Sequence, residues 1–401
     1  MEHKSKVAVI GAGLAGCSIA YELGKSKKFH ITVFDKNSDI AQDASGNYAG
    51  ILAPKLTIDN NYSDQFHTLG YQLLTDFISN YKDRVTICSK GVLQLLTNDK
   101  ETLRYKKIFD KRNISNDLAQ LLSKEETANI LGKATSHNSV YYPNALSLEP
   151  KSLCELWMRL SEANFQPNKT LTNITKLKNH NHNWQLEFNQ EKECFDVVIF
   201  AGGYKPFEKL PYISDIPVFA SYGQLTVIDS TYDISHTIMD KGYIIPNYRE
   251  NSQVIGATFR DNTDSNTSVR DEDDKFNISQ IKEMLADSKN SQISITDSRL
   301  ATRCVTADHI PLVGKLVDYE KFKDDFYKPL SKGYPKSKMP KISYEEGLYL
   351  ASGFGSKGLC SSLLSAKIIF SQITNQELPI SEKLLQALSP QRFWVRSFKK
   401  C

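Results

Sequence analysis

The sequence of 401 residues contains no apolar run approaching the roughly 20 residues that a membrane-crossing helix needs. It also offers no leader. The first six residues, MEHKSK, are charged and run straight into an apolar stretch, leaving no room for a signal peptide, so a cytoplasmic protein is expected. No CxxC pair is present. The seven cysteines (Cys17, Cys88, Cys154, Cys194, Cys304, Cys360 and Cys401) are odd in number and scattered, which reads as reduced thiols rather than disulfides or zinc ligands, and no metal is expected. A large charge surplus is missing too: 50 Lys and Arg against 46 Asp and Glu leave +4, which permits a nucleic-acid partner without demanding one. With 40% hydrophobic and 24% charged residues the chain reads as globular, and its length exceeds one simple core, so two domains are expected.

What the sequence does contain begins at residues 7–16, VAVIGAGLAG. An apolar run from Val7 to Ile10 meets Gly11, Gly13 and Gly16, and a helical pattern follows through Ile19, Ala20 and Leu23. This is strand, glycine turn, helix. Gly11 permits the tight turn, Gly13 lets backbone approach a pyrophosphate, and Gly16 lets the helix lie close on the strand. Phosphates would sit on N–H groups at the positive end of the helix dipole. A second strand, Ile31 to Phe34, ends in Asp35, nineteen residues after Gly16. An acid at that place can accept hydrogen bonds from both ribose hydroxyls of an adenosine.

Downstream, DASGNYAG (43–50) is rich in small residues, and Ser45 and Gly46 could bring N–H groups to a phosphate or a ring, or form a plain loop. Tyr62 to Phe77 has the period of an amphipathic helix with Phe66, Leu69, Leu73 and Phe77 on one face and Ser63 as N-cap. Gly91 to Leu96 reads as a strand, Ser123 with Glu126 as a capping box, and Pro150 as a helix start with Leu153, Trp157 and Leu160 facing inward. Residues 169–200 read as a β-meander ending in the buried strand Val197 to Phe200 and a turn at AGG (201–203), a second pass of backbone past the cofactor. The histidines of NHNHN (179–183) read as a solvated turn, not a metal site. Strands are expected at 216–228, 242–246 and 253–259, and a helix near 278–287 capped by Asn277, with DEDD (271–274) as a solvated turn. Residues 319–341 hold seven lysines with Phe322, Phe326, Tyr327 and Tyr334 among them, a pattern that suits either an RNA grip or a lysine-rich surface insertion. At 347–368 strand, glycine turn and helix return, with Gly353, Gly355 and Gly358 spaced for another close backbone approach. Glycine turns at both ends of the chain imply a discontinuous nucleotide domain with the substrate domain inserted in it.

Together these pieces resemble the D-amino-acid oxidase superfamily of flavoproteins, which includes glycine oxidase and sarcosine oxidase. The motifs DASGNYAGILAP (43–54), IPVFASYGQL (216–225), GYIIP (242–246), VIGATFR (254–260), TRCVTADHIPLVGKLVDYE (302–320), SGFGSKGLCSSLL (352–364) and LSPQRFWVR (388–396) narrow the likeness to the oxidase half of the MnmC family of bifunctional tRNA-modifying proteins. MnmC proteins usually carry a methyltransferase domain first, and only six residues precede the first strand here. The resemblance implies an α/β fold: a Rossmann-like FAD-binding domain (1–90, 145–205 and 345–401) with an inserted α+β antiparallel-sheet substrate domain (91–144 and 206–344). It implies non-covalent FAD, since Cys304 is out of register with the cysteine that anchors flavin in some relatives. The implied reaction oxidises the carboxymethylaminomethyl group of a wobble uridine in tRNA to aminomethyl, releasing glyoxylate, with oxygen as acceptor and a methyltransferase domain or protein acting next. The alternative is a free glycine, sarcosine or D-amino-acid oxidase.

The resemblance also assigns residues. Arg303 clamps the substrate carboxylate, helped by the hydroxyl of Tyr243. Gly11, Gly13 and Gly16 cradle the pyrophosphate, Asp35 takes the ribose, and Ser45 and Gly46 contact pyrophosphate or ring. Gly353, Gly355, Ser356, Lys357 and Gly358 face the pyrimidine edge of the flavin. No Asp or His is required as a base, and His309 beside Asp308 reads as part of a structural turn near the flavin. Outside what the resemblance assigns, the charged residues Arg392, Arg396, Lys399 and Lys400, with the lysine-rich segment, are the candidate tRNA contacts.

Overall fold

The computed structural model describes residues 4–178, 183–189, 191–229, 231–260, 268–285 and 293–400. The NHNHN histidines, His180 and His182, and Cys401 lie outside the described residues. The chain divides into two compact units: Met1–Gln42, Cys154–Ala220 and Arg303–Cys401 form one, and Asp43–Leu153 with Ser221–Thr302 the other.

The first unit is built on a six-stranded sheet in the order Leu312–Lys315, Leu348–Ser352, Val197–Phe200, Ser5–Ile10, Phe29–Phe34, Asn164–Gln166. Every neighbouring pair is parallel except the first, which is antiparallel. The central strands are apolar without alternation because both faces are covered: Val7, Ala8, Val9 and Val198 are fully buried, and all five residues of Leu348–Ser352 are buried. The Leu14–Gly24 helix makes the crossover that a parallel pair requires. The expected meander is a separate three-stranded antiparallel sheet, Leu171–Lys176, Trp184–Phe188 and Glu191–Phe195. Its alternate residues Trp184, Leu186 and Phe188 point into the core, where the Phe188 ring stacks on Phe34 at 4.3 Å.

The lysine-rich segment also belongs to this unit. The helix Tyr319–Ser331 is capped by Asp318, whose side chain accepts the Lys321 N–H at 2.9 Å. Phe322, Phe326 and Leu330, spaced four apart, are buried on one face. The Phe322 and Phe326 rings stack at 4.5 Å and Trp394 lies 5.6 Å from Phe322. Phe322 and Phe326 are therefore core residues and cannot stack on bases, as the sequence pattern had suggested; Tyr327 and Tyr334 remain exposed.

The second unit holds a nine-stranded, mainly antiparallel sheet that includes Ile87–Leu96, Asn138–Leu148, Val218–Asp229, Tyr243–Arg249 and Ser252–Gly256. Its Tyr62–Ser79 helix is capped by Asn61, not Ser63: the Asn61 side chain accepts the Asp64 N–H at 3.2 Å, while Ser63 is buried and accepts from Lys55 Nζ at 2.9 Å. The buried face is Phe66, Gly70, Tyr71, Leu74 and Phe77, with Leu69 and Leu73 at its margin. The DEDD run is not a solvated turn. It forms the first turn of a helix, Asp271–Met284, where four acids meet the positive end of the helix dipole. Asp274 is buried there and accepts from Gln224 Nε2 and Ser298 Oγ at 2.8 Å each. Asn277 sits in mid-helix, its amide donating to Gln224 O at 3.1 Å and Thr226 Oγ1 at 3.0 Å. The capping box at Ser123 and Glu126 and the helix start at Pro150 are present as expected.

The unit boundaries differ from those read in the sequence. Residues 206–220 and 303–344 belong to the sheet-and-helix body of the first unit, and 43–90 and 145–153 to the second. The reason is long-range: Leu312–Lys315 adds to the edge of the six-stranded sheet, and Gly50–Leu52 pairs with Asn138–Leu148.

Candidate active site

Three parallel strands of the first unit, Ser5–Ile10, Phe29–Phe34 and Val197–Phe200, end in register, and the fourth, Leu348–Ser352, runs two residues further. Ile10 stands beside Phe34 and Phe200, and Phe200 beside Leu350. Each is followed by a turn rather than a continuing strand, so the carboxyl ends of the sheet form a shared edge, the place where open α/β sheets bind ligands. Gly11 leaves its strand at φ +111, and a Cβ there would lie 2.5 Å from the Gly202 Cα. The first glycine turn is thus pressed against AGG (201–203). The Gly203 carbonyl in turn accepts the Ser352 hydroxyl at 3.2 Å, which ties AGG to the last parallel strand. Three glycine turns that are distant in sequence meet at one edge.

Two helices start from this edge side by side. In the Leu14–Gly24 helix, Gly13 is the N-cap and no side chain caps it. In the Gly358–Thr374 helix, Lys357 is the N-cap, again with no side-chain cap. A Cβ on Gly358 would stand 3.1 Å from the Leu14 side chain, and one turn later the Ser18 hydroxyl donates to the Ser362 carbonyl at 3.1 Å. The two helices therefore run parallel with their positive ends adjacent, a strongly anion-favouring arrangement. Gly16 makes this possible: its absent Cβ would fall 1.8 Å from the Gly11 carbonyl oxygen.

Asp35 follows its strand as expected. Its Oδ2 accepts the Ala12 N–H at 2.7 Å and its Oδ1 the Asn37 N–H at 2.9 Å and amide at 3.0 Å. The carboxylate thus also holds the first glycine turn, and Oδ2, with a single donor, keeps a lone pair for a further one.

The second glycine turn is fixed from below. The Gly355 N–H donates to the Cys304 carbonyl at 2.9 Å, and Gly353, at φ +71, would carry a Cβ 2.8 Å from Thr306. Gly355, at φ +54, has open space where a side chain would be. Ser356 is exposed and Lys357 half-buried. Arg303 is only 7% exposed, and the next residue, Cys304, is the one that anchors Gly355. Burial pushes the Cys304 thiol up to about 11, although the Ser352 hydroxyl and Gly353 backbone act the other way.

Ser45, Gly46 and Tyr243 belong to the second unit. Ser45 and Gly46 lie in a 3-10 turn, Ala44–Gly46, whose preceding Asp43 carbonyl accepts from Arg299 at 3.1 Å. Tyr243 is half-buried and pairs with Gly256 across the sheet. A Cβ on Gly256 would stand 2.6 Å from Leu225 Cδ2 and 3.4 Å from the Tyr243 hydroxyl, so the glycine makes room for Leu225 with the Tyr243 hydroxyl in ordinary contact beside it.

Arg392 is not available as an RNA contact. It is buried, with Nε and Nη2 on the two Asp308 oxygens at 3.0 and 2.9 Å and Nη1 on the Pro311, Leu388 and Ser389 carbonyls. Arg396 pairs with the same carboxylate from a more exposed position. Burial alone would raise the Asp308 carboxyl, but bonds and charge from Arg392 and then Arg396 outweigh it and hold the group well below the usual carboxylate range. His309, exposed and left-handed at φ +54, completes that structural turn. Arg392→Ala should lower stability by about 2–4 kcal/mol, because four backbone carbonyls and one side of the Asp308 carboxylate lose a buried donor while Arg396 keeps the other, read as a fall in the melting midpoint. Because the Asp308 carboxyl is depressed in the folded state, its contribution is complete above the unfolded value of roughly 4 and is lost as pH falls below it. The gap between wild type and Arg392→Ala should therefore narrow on acidification.

Among the described residues, no helix is long and apolar enough to cross a membrane. The Geobacillus kaustophilus glycine oxidase structure superposes with a TM-score of 0.75 at 18% identity, covering 97% of this chain and 99% of that one. An L-proline dehydrogenase from P. horikoshii gives 0.74 at 16% identity, covering 98% and 99%. Both likenesses establish the fold. Among curated proteins, the tRNA 5-methylaminomethyl-2-thiouridine biosynthesis bifunctional protein MnmC of Pseudoalteromonas atlantica is 28% identical over 99% of this chain and 59% of its own length. The protein of that name from Pseudomonas fluorescens is 26% identical over 98% and 59%. The chain thus spans about 59% of the length of these relatives. Residues 6–372 match the family described as FAD dependent oxidoreductase, and with its glycine turns gathered on one sheet edge the chain belongs to that family of enzymes.

Proposed function

We propose that this protein oxidises the carboxymethylaminomethyl group of a wobble uridine in tRNA to aminomethyl, releasing glyoxylate. The observation that carries the substrate is likeness to tRNA-modifying MnmC proteins over 98–99% of the chain. The chemistry is supported by the anion-favouring edge and the buried Arg303 beside it in sequence.

The residues present fit FAD. Two adjacent helix starts without side-chain caps suit a pyrophosphate, and the open space at Gly355 suits a planar ring close to backbone. In this reading Gly11, Gly13 and Gly16 cradle the pyrophosphate, Asp35 takes the ribose, and Ser45 and Gly46 contact pyrophosphate or ring. Gly353, Gly355, Ser356, Lys357 and Gly358 hold the pyrimidine edge, where the helix start supplies partial positive charge. When bound, FAD supplies the acceptor for the hydride leaving the glycine CH₂, after which water on the substrate C=N releases glyoxylate, with oxygen as final acceptor. Arg303 holds the substrate carboxylate through two parallel hydrogen bonds, and the Tyr243 hydroxyl adds a third. A neutral secondary amine needs no base from the protein. A methyltransferase, on the same polypeptide or another, would act on the aminomethyl product.

Cofactor attachment is proposed to be non-covalent, since a thiol as buried as Cys304 stays protonated and a poor nucleophile at neutral pH. Acid precipitation of the holoenzyme should leave all the flavin in the supernatant; yellow colour in the pellet would contradict this.

The deciding experiment is anaerobic mixing with tRNA carrying the carboxymethylaminomethyl uridine. Loss of flavin absorbance with stoichiometric glyoxylate is expected. Bleaching by free glycine or sarcosine but not by tRNA would replace this reading with a free amino-acid oxidase.

A further inference from the structure

Two stretches of the chain carry cations without acids, and the fold packs them together. Residues 326–344 contain Lys328, Lys332, Lys336, Lys338 and Lys341 and no Asp or Glu; residues 383–400 contain Arg396, Lys399 and Lys400 on the surface and no Asp or Glu. The Tyr319–Ser331 helix and the C-terminal helix Arg392–Phe398 share one aromatic core of Phe322, Phe326, Trp394 and Phe398. Tyr327 meets the Phe398 ring edge-on at 5.4 Å, which places the helical turn that carries Lys328 against the segment that leads into Lys399 and Lys400. Beyond the helix the chain folds back, the Tyr334 N–H donating to the Pro329 carbonyl at 2.9 Å, and Met339 packs on the same core. The loop bearing Lys332, Lys336 and Lys338 is thereby pinned beside the helix.

All seven of these lysines are exposed, and among the described residues none of them is in an ion pair. Of the acids on this helix, Glu320 faces Lys323 in the first turn, and Asp324 and Asp325 lie mid-helix, about one turn before Lys328. Tyr327 and Tyr334, 44% and 37% exposed, stand among the lysines. Unpaired cations interleaved with exposed rings match a polyanion that carries both phosphates and flat bases.

We propose that this surface, formed by Lys328, Lys332, Lys336, Lys338, Lys399 and Lys400 with Tyr327 and Tyr334, holds the phosphate backbone and an unstacked base of a folded RNA. The proposal rests on the tRNA reading above and adds where the protein grips the molecule, at residues apart from the glycine turns and Arg303. An anionic membrane would supply the same phosphates but no bases for the two tyrosines.

The test uses the flavin-loaded full chain and unfractionated tRNA, with binding followed across a salt series. The variant Lys332→Gln, Lys336→Gln, Lys399→Gln, Lys400→Gln should bind at least tenfold more weakly near 0.1 M salt, and its log K against log salt should be shallower by about 3, close to one for each phosphate no longer neutralised. Flavin content and melting midpoint should not change, because the four side chains are exposed. Tyr334→Ala should weaken tRNA binding at every salt concentration without altering the slope. A control, Lys321→Gln with Lys323→Gln, removes charge at the acidic end of the helix and should leave binding within twofold. Equal weakening by the control, or unchanged binding by the fourfold variant, would overturn the proposal while leaving tRNA oxidation standing. Failure of the wild type to bind tRNA at all would instead remove the tRNA reading. Lysine-dependent binding to phosphatidylserine vesicles, without binding to tRNA, would assign the surface to a membrane.

Discussion

Arg303→Ala should lose roughly 10²- to 10⁴-fold in kcat/KM for any substrate with a glycine-like carboxylate, equivalent to about 3–5 kcal/mol from two charge-assisted hydrogen bonds. The loss should fall mainly on KM if the clamp holds ground and transition states alike, and on kcat if it aligns the CH₂ for hydride loss. Arg303→Lys should recover only part of it, because an ammonium keeps the charge but not the planar fork that meets both carboxylate oxygens. The most telling measurement compares an amino-acid substrate with its carboxamide. Wild type should discriminate strongly in favour of the acid, and the alanine variant should hardly discriminate. Flavin content should stay normal, since the neighbouring anchor of the second glycine turn is the Cys304 backbone carbonyl and not a side chain. An alanine variant with wild-type preference for the carboxylate would end the assignment of Arg303.

Gly16→Ala should yield protein without flavin and with a markedly lower melting midpoint. The added methyl would sit 1.8 Å from the Gly11 carbonyl oxygen and 3.3 Å from Val9 Cγ1. Neither the oxygen nor the helix start can yield cheaply. The oxygen is backbone in a turn pressed on Gly202, and the helix is locked to its neighbour through Leu14 and Ser18. Relief requires the whole helix to lift from the first strand, opening a gap in a region where Cys17, Ile19 and Ala20 are fully buried. Overpacking of this kind costs roughly 1–3 kcal/mol and more where backbone must move. The same shift pulls the helix N–H groups from the sheet edge, so flavin is lost along with stability. Gly355→Ala is the contrast: its φ of +54 suits glycine, yet nothing lies within 4 Å of the new methyl. That variant should fold with a penalty of about 1–2 kcal/mol from the left-handed backbone alone, so that a change in flavin affinity, followed by titration, reports on the ring itself. Gly16→Ala protein that purified yellow with an unchanged midpoint would show that the close packing is dispensable.

How far the sequence could be read depended on the range of the interactions. The two glycine turns, the strand ending in Asp35, the capping box at Ser123 and the helix start at Pro150 were legible because each is decided by residues within one or two turns of one another. The same local reasoning misjudged the DEDD run, since a helix N-terminus and a solvated turn both favour acids; what chose between them was the burial of Asp274 against Gln224 and Ser298, side chains far away in sequence. Ser63 lost the cap to Asn61 for a similar reason, its hydroxyl being drawn inward toward Lys55.

The sequence by itself determined that backbone would turn tightly and pack closely at two places, because only glycine at those spacings tolerates the turns and close approaches involved. Only the tertiary structure decided that AGG (201–203) joins them at one edge, that Arg392 is a buried partner of Asp308, and that Phe322 and Phe326 are core while Tyr327 and Tyr334 are surface. A one-dimensional pattern states which side chains are charged or aromatic. Whether a given one meets water, a carboxylate or another ring depends on which distant segment packs against it, and that is settled by burial across the whole fold.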